Sequence, residues 1–308
     1  MKKNLLILFG ILSFLGAKAQ CNELFFSEYL NGSYNNKALE IYNPSNSAVS
    51  LSNYRIVTWF NGNINADTTS KYVMTLSGTI GAHDTYNYFL DRRNPNAHNV
   101  APNYDTILSP ALLATANNIV NQNKGKFVNP VGYSGPGAYT TNFNGDDAIS
   151  LQKLVNSQWT NVDIFGSIGE RPTNSQGTFS PHGAWTDTPP FNNGQGFYLS
   201  YHKTLIRHAN IQGGVTINPA AGTFDVLAYW DSLPNNSVSN LGLHSCVCNP
   251  AGINDIKKSS HVSVYPNPIR NSNLKLSFVY SNLFTWFSFF GRGPPSIVWF
   301  SKLIIRLA

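Results

Sequence analysis

The chain has 308 residues, with 21 Lys plus Arg against 15 Asp plus Glu, a formal +6 that taken whole points to nucleic acid or a membrane surface. Only 12% of residues are charged, while 42% are hydrophobic, 13% aromatic and 39 are Asn, which excludes a disordered chain and a coiled coil or helical bundle. The composition is that of an all-β, turn-rich, extracellular protein with apolar material for one large or two ordinary domains.

Residues 1–19 begin with the basic pair Lys2 and Lys3, continue in an apolar run from Leu5 to Leu15 too short to span a bilayer, and end in Ala17-Lys18-Ala19. Small residues before Gln20 complete the pattern of a secretory signal peptide cleaved there. A retained anchor and a lipoprotein signal at Cys21 are the alternatives, and the large Gln20 makes a poor lipobox.

From 23 to 90, short apolar or alternating runs are separated by turn signals: LFFSEYL (24–30), ALEIY (38–42), AVSLS (48–52), YRIVTWF (54–60), KYVMTL (71–76) and TYNYFL (85–90). In 38–42, Leu39 and Ile41 face one way and Ala38, Glu40 and Tyr42 the other, the period of a half-buried strand. Ser109 then Pro110 and a stripe of Leu112, Leu113, Ala116, Ile119 and Val120 predict one short helix over 109–121, lying on the sheet. Strands follow in 144–154 after the Asn144-Gly145 turn, in 162–169 and around 203–209, while the rest of 170–250 is a loop-rich extension. Strands at this spacing, with one helix, predict a β-sandwich rather than an α/β sheet.

Of three cysteines, Cys21 starts the mature chain and Cys246 and Cys248 end its main domain. A Cys21–Cys246 bridge is expected, stapling first strand to last, with Cys21–Cys248 as the alternative pairing. Cys-x-Cys without a further ligand cluster disfavours zinc.

The candidate chemistry is thin. Asp146-Asp147 is the tempting carboxylate pair, yet neighbours on a strand point to opposite faces, and an Asp closing the Asn-Gly turn is the commoner role. Asp163, mid-strand beside Ile164 and Phe165, calls for a structural ion pair, with Arg207 as partner. His202 and His208 lack the spacing of a helical metal motif. Gly132-Tyr133-Ser134-Gly135-Pro136 has Pro136 where a nucleophile elbow needs Gly, and Gly194-x-Gly196 lacks the third glycine of a dinucleotide loop. Tyr34, Trp59, Phe60, Trp159, Trp185 and Phe191 are candidates to line a carbohydrate or peptide groove, with packing as the commoner fate of each. Arg92-Arg93 has no basic neighbours in sequence to make a nucleic-acid patch. No catalytic residue, cofactor or metal is expected.

Several of these segments, in order, resemble a lamin-tail domain, an immunoglobulin-like β-sandwich that also occurs in exported bacterial proteins. The resemblance rests on Phe26-Ser27-Glu28-Tyr29, on the run from Asn35 to Asn43, and on Val49-x-Leu51-Ser52-x-Tyr54. It continues through Leu76-x-Gly78-Thr79-Ile80, Asp84-Thr85-Tyr86, Gly145-Asp146-Asp147-Ala148-Ile149 and the Val162–Gly169 run. Thr204-Leu205-Ile206-Arg207, Trp230-Asp231 and Leu241-Gly242-x-His244 extend it, so that it covers about residues 22–246. After a linker at 251–260, residues 261–280 are similar to the start of the sorting domain that directs Bacteroidetes proteins to the type IX secretion machinery, through Tyr265, Pro266, Asn267 and Pro268. Residues 281–308 then turn into an aromatic tail, read as a truncated or out-of-frame end or as a divergent one. Arg292, Gly293 and Pro294-Pro295 divide it, so it predicts no membrane span.

What the resemblance implies is a secreted or cell-surface, non-catalytic module for binding, adhesion or scaffolding, with an extracellular protein or a glycan as partner. The alternative is the accessory domain of a secreted endonuclease or phosphatase-type protein whose catalytic part lies elsewhere. The basic balance dissolves on partition: residues 1–19 and 281–308 hold three cations each and no acid, and residues 20–250 hold 11 basic against 14 acidic groups. The main domain is therefore about −3, and no nucleic acid is expected as partner.

Overall fold

The structure is a computed structural model that describes residues 21–93, 109–174 and 183–248, together with strand backbone at 99–100, 103–104, 261–265, 273–280 and 283–290. The chain divides into two units, Met1–Asn249 and Pro250–Ala308.

In the first unit the strands are β1 (Phe25–Asn31), β2 (Lys37–Tyr42), β3 (Val49–Ser50), β4 (Tyr54–Trp59), β5 (Val73–Thr75), β6 (Thr79–Ile80) and β7 (Thr85–Leu90). The short β8 (Asn99–Val100) and β9 (Asn103–Tyr104) precede helix α1 (Pro110–Asn121). Then come β10 (Gly125–Val128), β11 (Ala148–Val155), β12 (Gln158–Phe165), β13 (Lys203–Arg207) and β14 (Trp230–Leu233). They build an all-β sandwich: a six-stranded sheet in the order β10-β7-β2-β1-β13-β14 and a four-stranded sheet in the order β12-β11-β4-β5. β10 joins β7 in parallel, and the other strands of both sheets pair antiparallel.

Alternation, interrupted by register shifts in β1 between Phe26 and Glu28 and in the β11–β12 pair, explains the inner faces. Phe26, Tyr29, Leu39, Ile41 and Leu205 of the larger sheet meet Ile56, Ile149, Leu151, Val162 and Phe165 of the smaller in one core. Tyr29 stacks on Phe165 across the two sheets with ring centroids 4.2 Å apart. Each such side chain taken out of water stabilises the fold by roughly 1.5–3 kcal/mol.

The outer face of the larger sheet departs from the half-buried reading of β2: every residue from Lys37 to Tyr42 is buried. Two covers, both distant in sequence, account for this. Ser109 caps α1 by accepting the Leu112 amide at 3.3 Å, and Leu112, Ala116 and Ile119 press on Leu30, Ala38 and Phe89. Further along, residues 241–248 fold over Phe25 and Tyr42 with Cys246.

That C-terminal segment also corrects the disulfide. Cys21 pairs with Cys248, at a Cα separation of 5.5 Å. Cys246, the expected partner, is a free and buried thiol packed under Phe25 and Tyr42. The physical reason is the local course of the chain: the Val247 amide bonds the Ala209 carbonyl at 2.8 Å and the Cys21 amide bonds Gln212 at 2.9 Å, which sets Cys248 beside Cys21.

His244, in the same cover, meets Phe25 and Tyr42 edge-on at centroid distances of 5.9 and 4.8 Å. Burial, with Arg207 nearby, pushes its pKa down to about 4. The folded state therefore holds a neutral ring at pH values where the unfolded chain, with an ordinary histidine near 6.5, is protonated. Stability from this group is complete above pH 6.5 and is lost as pH falls towards 4. Relative to His244→Phe, the native chain should lose on the order of 2–3 kcal/mol between pH 7 and 4 in urea unfolding. Parallel losses in both proteins would show that the ring carries none of the acid sensitivity.

The second unit contains β15 (His261–Tyr265), β16 (Asn273–Tyr280) and β17 (Leu283–Phe290) in one antiparallel sheet of that order. Tyr265 ends β15, whereas Pro266, Asn267 and Pro268 of the expected sorting motif lie outside the described residues, as do 1–20.

Candidate functional site

The carboxylates singled out by sequence are engaged in holding the fold. Asp147 accepts the Asn144 amide at 2.7 Å and the Asn61 amide at 2.8 Å, closing the Asn-Gly turn, and burial raises its pKa to about 6. Asp146 is buried and accepts from Arg171 Nε at 2.9 Å. Asp163 and Arg207 form the expected ion pair, with both side chains wholly buried. His202 stacks on Tyr201, while His208 faces Asp231 at 3.4 Å. Gly194 and Gly196 both adopt positive φ, at 75° and 85°.

The six aromatic candidates scatter. Trp59 and Trp185 are core residues, and Trp59 Nε1 donates to Ser150 Oγ at 3.0 Å. Trp159 lies under the Arg55 guanidinium, 4.4 Å from ring centroid to Arg55 Cζ. Tyr34 is exposed and Phe191 half-buried. Phe60 alone joins a surface cluster, with Tyr72 at 5.1 Å and Tyr139 at 6.3 Å.

Tyr139 marks the rim of an open cleft of about 550 Å³, walled by the 129–142 loop, Asn35 and Arg92. The loop is held from within by Asn129, whose Oδ1 accepts the Thr141 amide at 3.0 Å and whose side-chain amide donates to the Gly137 carbonyl. Its 137–139 segment is tied to the residues before β5, by Gly137 N to Ser70 O at 2.8 Å and Tyr139 N to Lys71 O at 2.9 Å. Tyr133 folds back to donate its hydroxyl to the Pro136 carbonyl at 3.0 Å. That fold requires glycine at 135, where a Cβ would stand 2.6 Å from the Tyr133 phenol oxygen. Arg92 enters the wall after β7 and donates Nη1 to the Asn129 carbonyl at 2.6 Å.

The result is a cleft with two planar rings, Tyr133 at 46% and Tyr139 at 40% exposure, beside a guanidinium and the amides of Asn35 and Asn142. Fixed, exposed aromatic faces next to polar groups suit a ligand that is apolar on one face and rich in hydroxyls at its edge. Arg93 is not part of it: it pairs with Asp91 at 2.7 Å and covers the Phe127 ring. Sequence reasoning passed over Tyr133 and Tyr139, since their loop was read only as a failed nucleophile elbow. It also passed over Lys37, a buried lysine that donates to the Phe143 carbonyl and to Asn31 Oδ1 at 3.1 Å, its pKa lowered to about 8 by burial. No family model, no curated protein and no solved structure matches the chain.

Proposed function

We propose that this chain is the binding module of an exported protein, a lamin-tail domain of immunoglobulin-like type without a catalytic role, which takes a glycan in the 129–142 cleft at the cell surface or outside the cell. The observation that carries the ligand is the pair of exposed tyrosine rings set beside Arg92, Asn35 and Asn142. Sugar rings present an apolar face for stacking and a hydroxyl rim for amide and guanidinium groups, which is the complement of that wall. The lamin-tail reading is supported by the ordered segments from Phe26 to His244, and export by the pattern of residues 1–19 together with the type IX-like segment at 261–280.

The test is a glycan array probed with the chain, followed by affinities for the sugars retained. Tyr133→Ala and Tyr139→Ala should each weaken binding about tenfold, or 1.4 kcal/mol, as expected of aromatic anchors. Phe197→Ala, which removes an exposed ring outside the cleft, should leave affinity unchanged. Retention of no sugar, or equal losses in all three variants, would defeat the proposal.

A further inference from the structure

On the outer face of the larger sheet, three polar side chains stand abreast. Glu28 on β1 is directly opposite Glu40 on β2, and Asn87 on β7 is directly opposite Glu40 on its other side. Side chains facing each other across paired strands have Cβ atoms only about 4.5–5.5 Å apart, so the two carboxylates and the amide share one small space. That space is closed to water: Glu28 is 1% exposed, and Glu40 and Asn87 are fully buried.

The hydrogen bonding there is one-sided. Glu40 accepts from Ser27 Oγ at 2.7 Å and from the Gly242 amide at 2.6 Å, and the side chains of Thr85 and Asn87 hydrogen-bond to it as well. Neither oxygen of Glu28 receives a hydrogen bond, and neither does Asn87 Oδ1. Among the described residues no Lys, Arg or His forms an ion pair with either glutamate. A buried carboxylate with no donor and no counter-charge is strongly unfavourable, so in the metal-free fold burial and the adjoining Glu40 hold the Glu28 pKa well above the ordinary carboxylate range, and Asn87 Oδ1 beside the pair also lacks a donor.

We propose that Glu28 and Glu40, completed by Asn87 Oδ1 and Thr85 Oγ1, hold a buried hard cation of the calcium class. Carboxylate, amide and hydroxyl oxygens in a set without nitrogen or sulfur are the ligands such a cation takes. An open cleft of about 430 Å³ adjoins the site, its lining including Thr85 and Gly242, both neighbours of the Glu40 carboxylate, which separate it from the buried pair. Lys124 at that mouth is committed to Asp84 at 2.7 Å, so it does not reach inward to neutralise the pair. The cation would bind β1, β2 and β7 at the point where the C-terminal cover crosses them, and it requires nothing of the glycan cleft.

The test uses the whole chain stripped with EDTA, titrated with CaCl2 by calorimetry and followed by thermal unfolding. Binding with a dissociation constant on the order of 10⁻⁴–10⁻³ M is expected, the range of extracellular calcium modules, with a Tm higher by several degrees in 10 mM CaCl2 than in EDTA. MgCl2 should give a smaller response, because Mg²⁺ gives up its water reluctantly. Glu28→Gln keeps the shape and removes the charge; it should weaken calcium binding at least tenfold while raising the Tm of the EDTA-treated protein. Asn87→Leu should weaken binding with less effect on the metal-free fold. Absence of calcium binding and of any Tm response in the native chain overturns the proposal, as does calcium binding unchanged in both variants.

Discussion

Replacing Arg207 by Met is expected to lower folding stability by about 3–5 kcal/mol, more than any exposed ion pair of this protein can contribute. The pair it belongs to sits where β1 is irregular: the register with β2 shifts between Phe26 and Glu28. Phe26 consequently needs side chains to satisfy its backbone. Its amide donates to Asp163 Oδ2 at 2.8 Å and its carbonyl accepts from Arg207 Nε at 2.9 Å. Asp163 Oδ1 takes the Val215 amide at 2.8 Å, and Gly214 permits this approach, since a Cβ there would lie 2.2 Å from the Val162 carbonyl oxygen. Arg207 lies 4.1 Å from the centroid of the Trp230 ring. One ion pair thus joins β12 of the smaller sheet to β1 and β13 of the larger, and brings in the 212–215 loop.

In Arg207→Met the Asp163 carboxylate stays buried without its counter-charge and the Phe26 carbonyl loses its donor. Asp163→Asn leaves the converse, a buried guanidinium, and a single acceptor oxygen for two amides. The double variant should therefore be less destabilised than the sum of the two singles, because each single strands a charge that the other removes. The half-exposed Lys153–Glu23 pair serves as the control, with Lys153→Ala worth less than about 1 kcal/mol. Urea midpoints at constant m-value measure all four. A loss in Arg207→Met no larger than in Lys153→Ala would mean that the buried pair is energetically idle.

This pair was legible in the sequence because an Asp between Val162 and Phe165 on an alternating strand has no other way to be buried. The same local logic located β1, β2, β4 and β7, the Ser109-Pro110 helix start, and the turn-closing role of Asp147. It failed where the answer depended on what lies over a strand rather than on the strand itself. Alternation in 38–42 predicts one wet face, and that face is dry because α1 and residues 241–248, some 70 and 200 positions later, fold across it. For the same reason Glu40 reads as a residue of the wet face of 38–42 until β1 and β2 set it beside Glu28 under those covers. The cleft was equally hidden, since Asn35, Arg92, Tyr133 and Tyr139 share no spacing and meet only through the tertiary fold, with Arg92 held to Asn129 and Tyr139 to Lys71. β10 escaped notice because Gly125–Val128 is short and half-buried, and its parallel pairing with β7 is made possible by α1 acting as the crossover.

The cysteines give the largest expected effect. Cys21 and Cys248 are 227 residues apart, so their bridge closes almost the whole first unit into one loop. Preventing that closure frees the unfolded chain, and the loop-entropy estimate for such a length is about 5 kcal/mol. A loss of this size is comparable to the whole stability of many domains. Cys21→Ser and Cys248→Ser should show it equally, and dithiothreitol should reduce the native chain to their level while leaving both variants unchanged. Cys246→Ala should behave differently. It removes a small buried sulfur from beneath Phe25 and Tyr42, which is a packing defect of about 1–2 kcal/mol, and it leaves the bridge intact. Non-reducing peptide mapping at acid pH, where thiolate exchange is suppressed, then identifies the linked peptides directly. A Cys21–Cys246 peptide in the native chain, or loss of the bridge in Cys246→Ala with retention in Cys248→Ser, would reverse the assignment. The sulfur two residues away decides the matter because the chain turns at 247–248 and is tied to Ala209 through the Val247 amide, so that one thiol lies under the cover and the other beside Cys21.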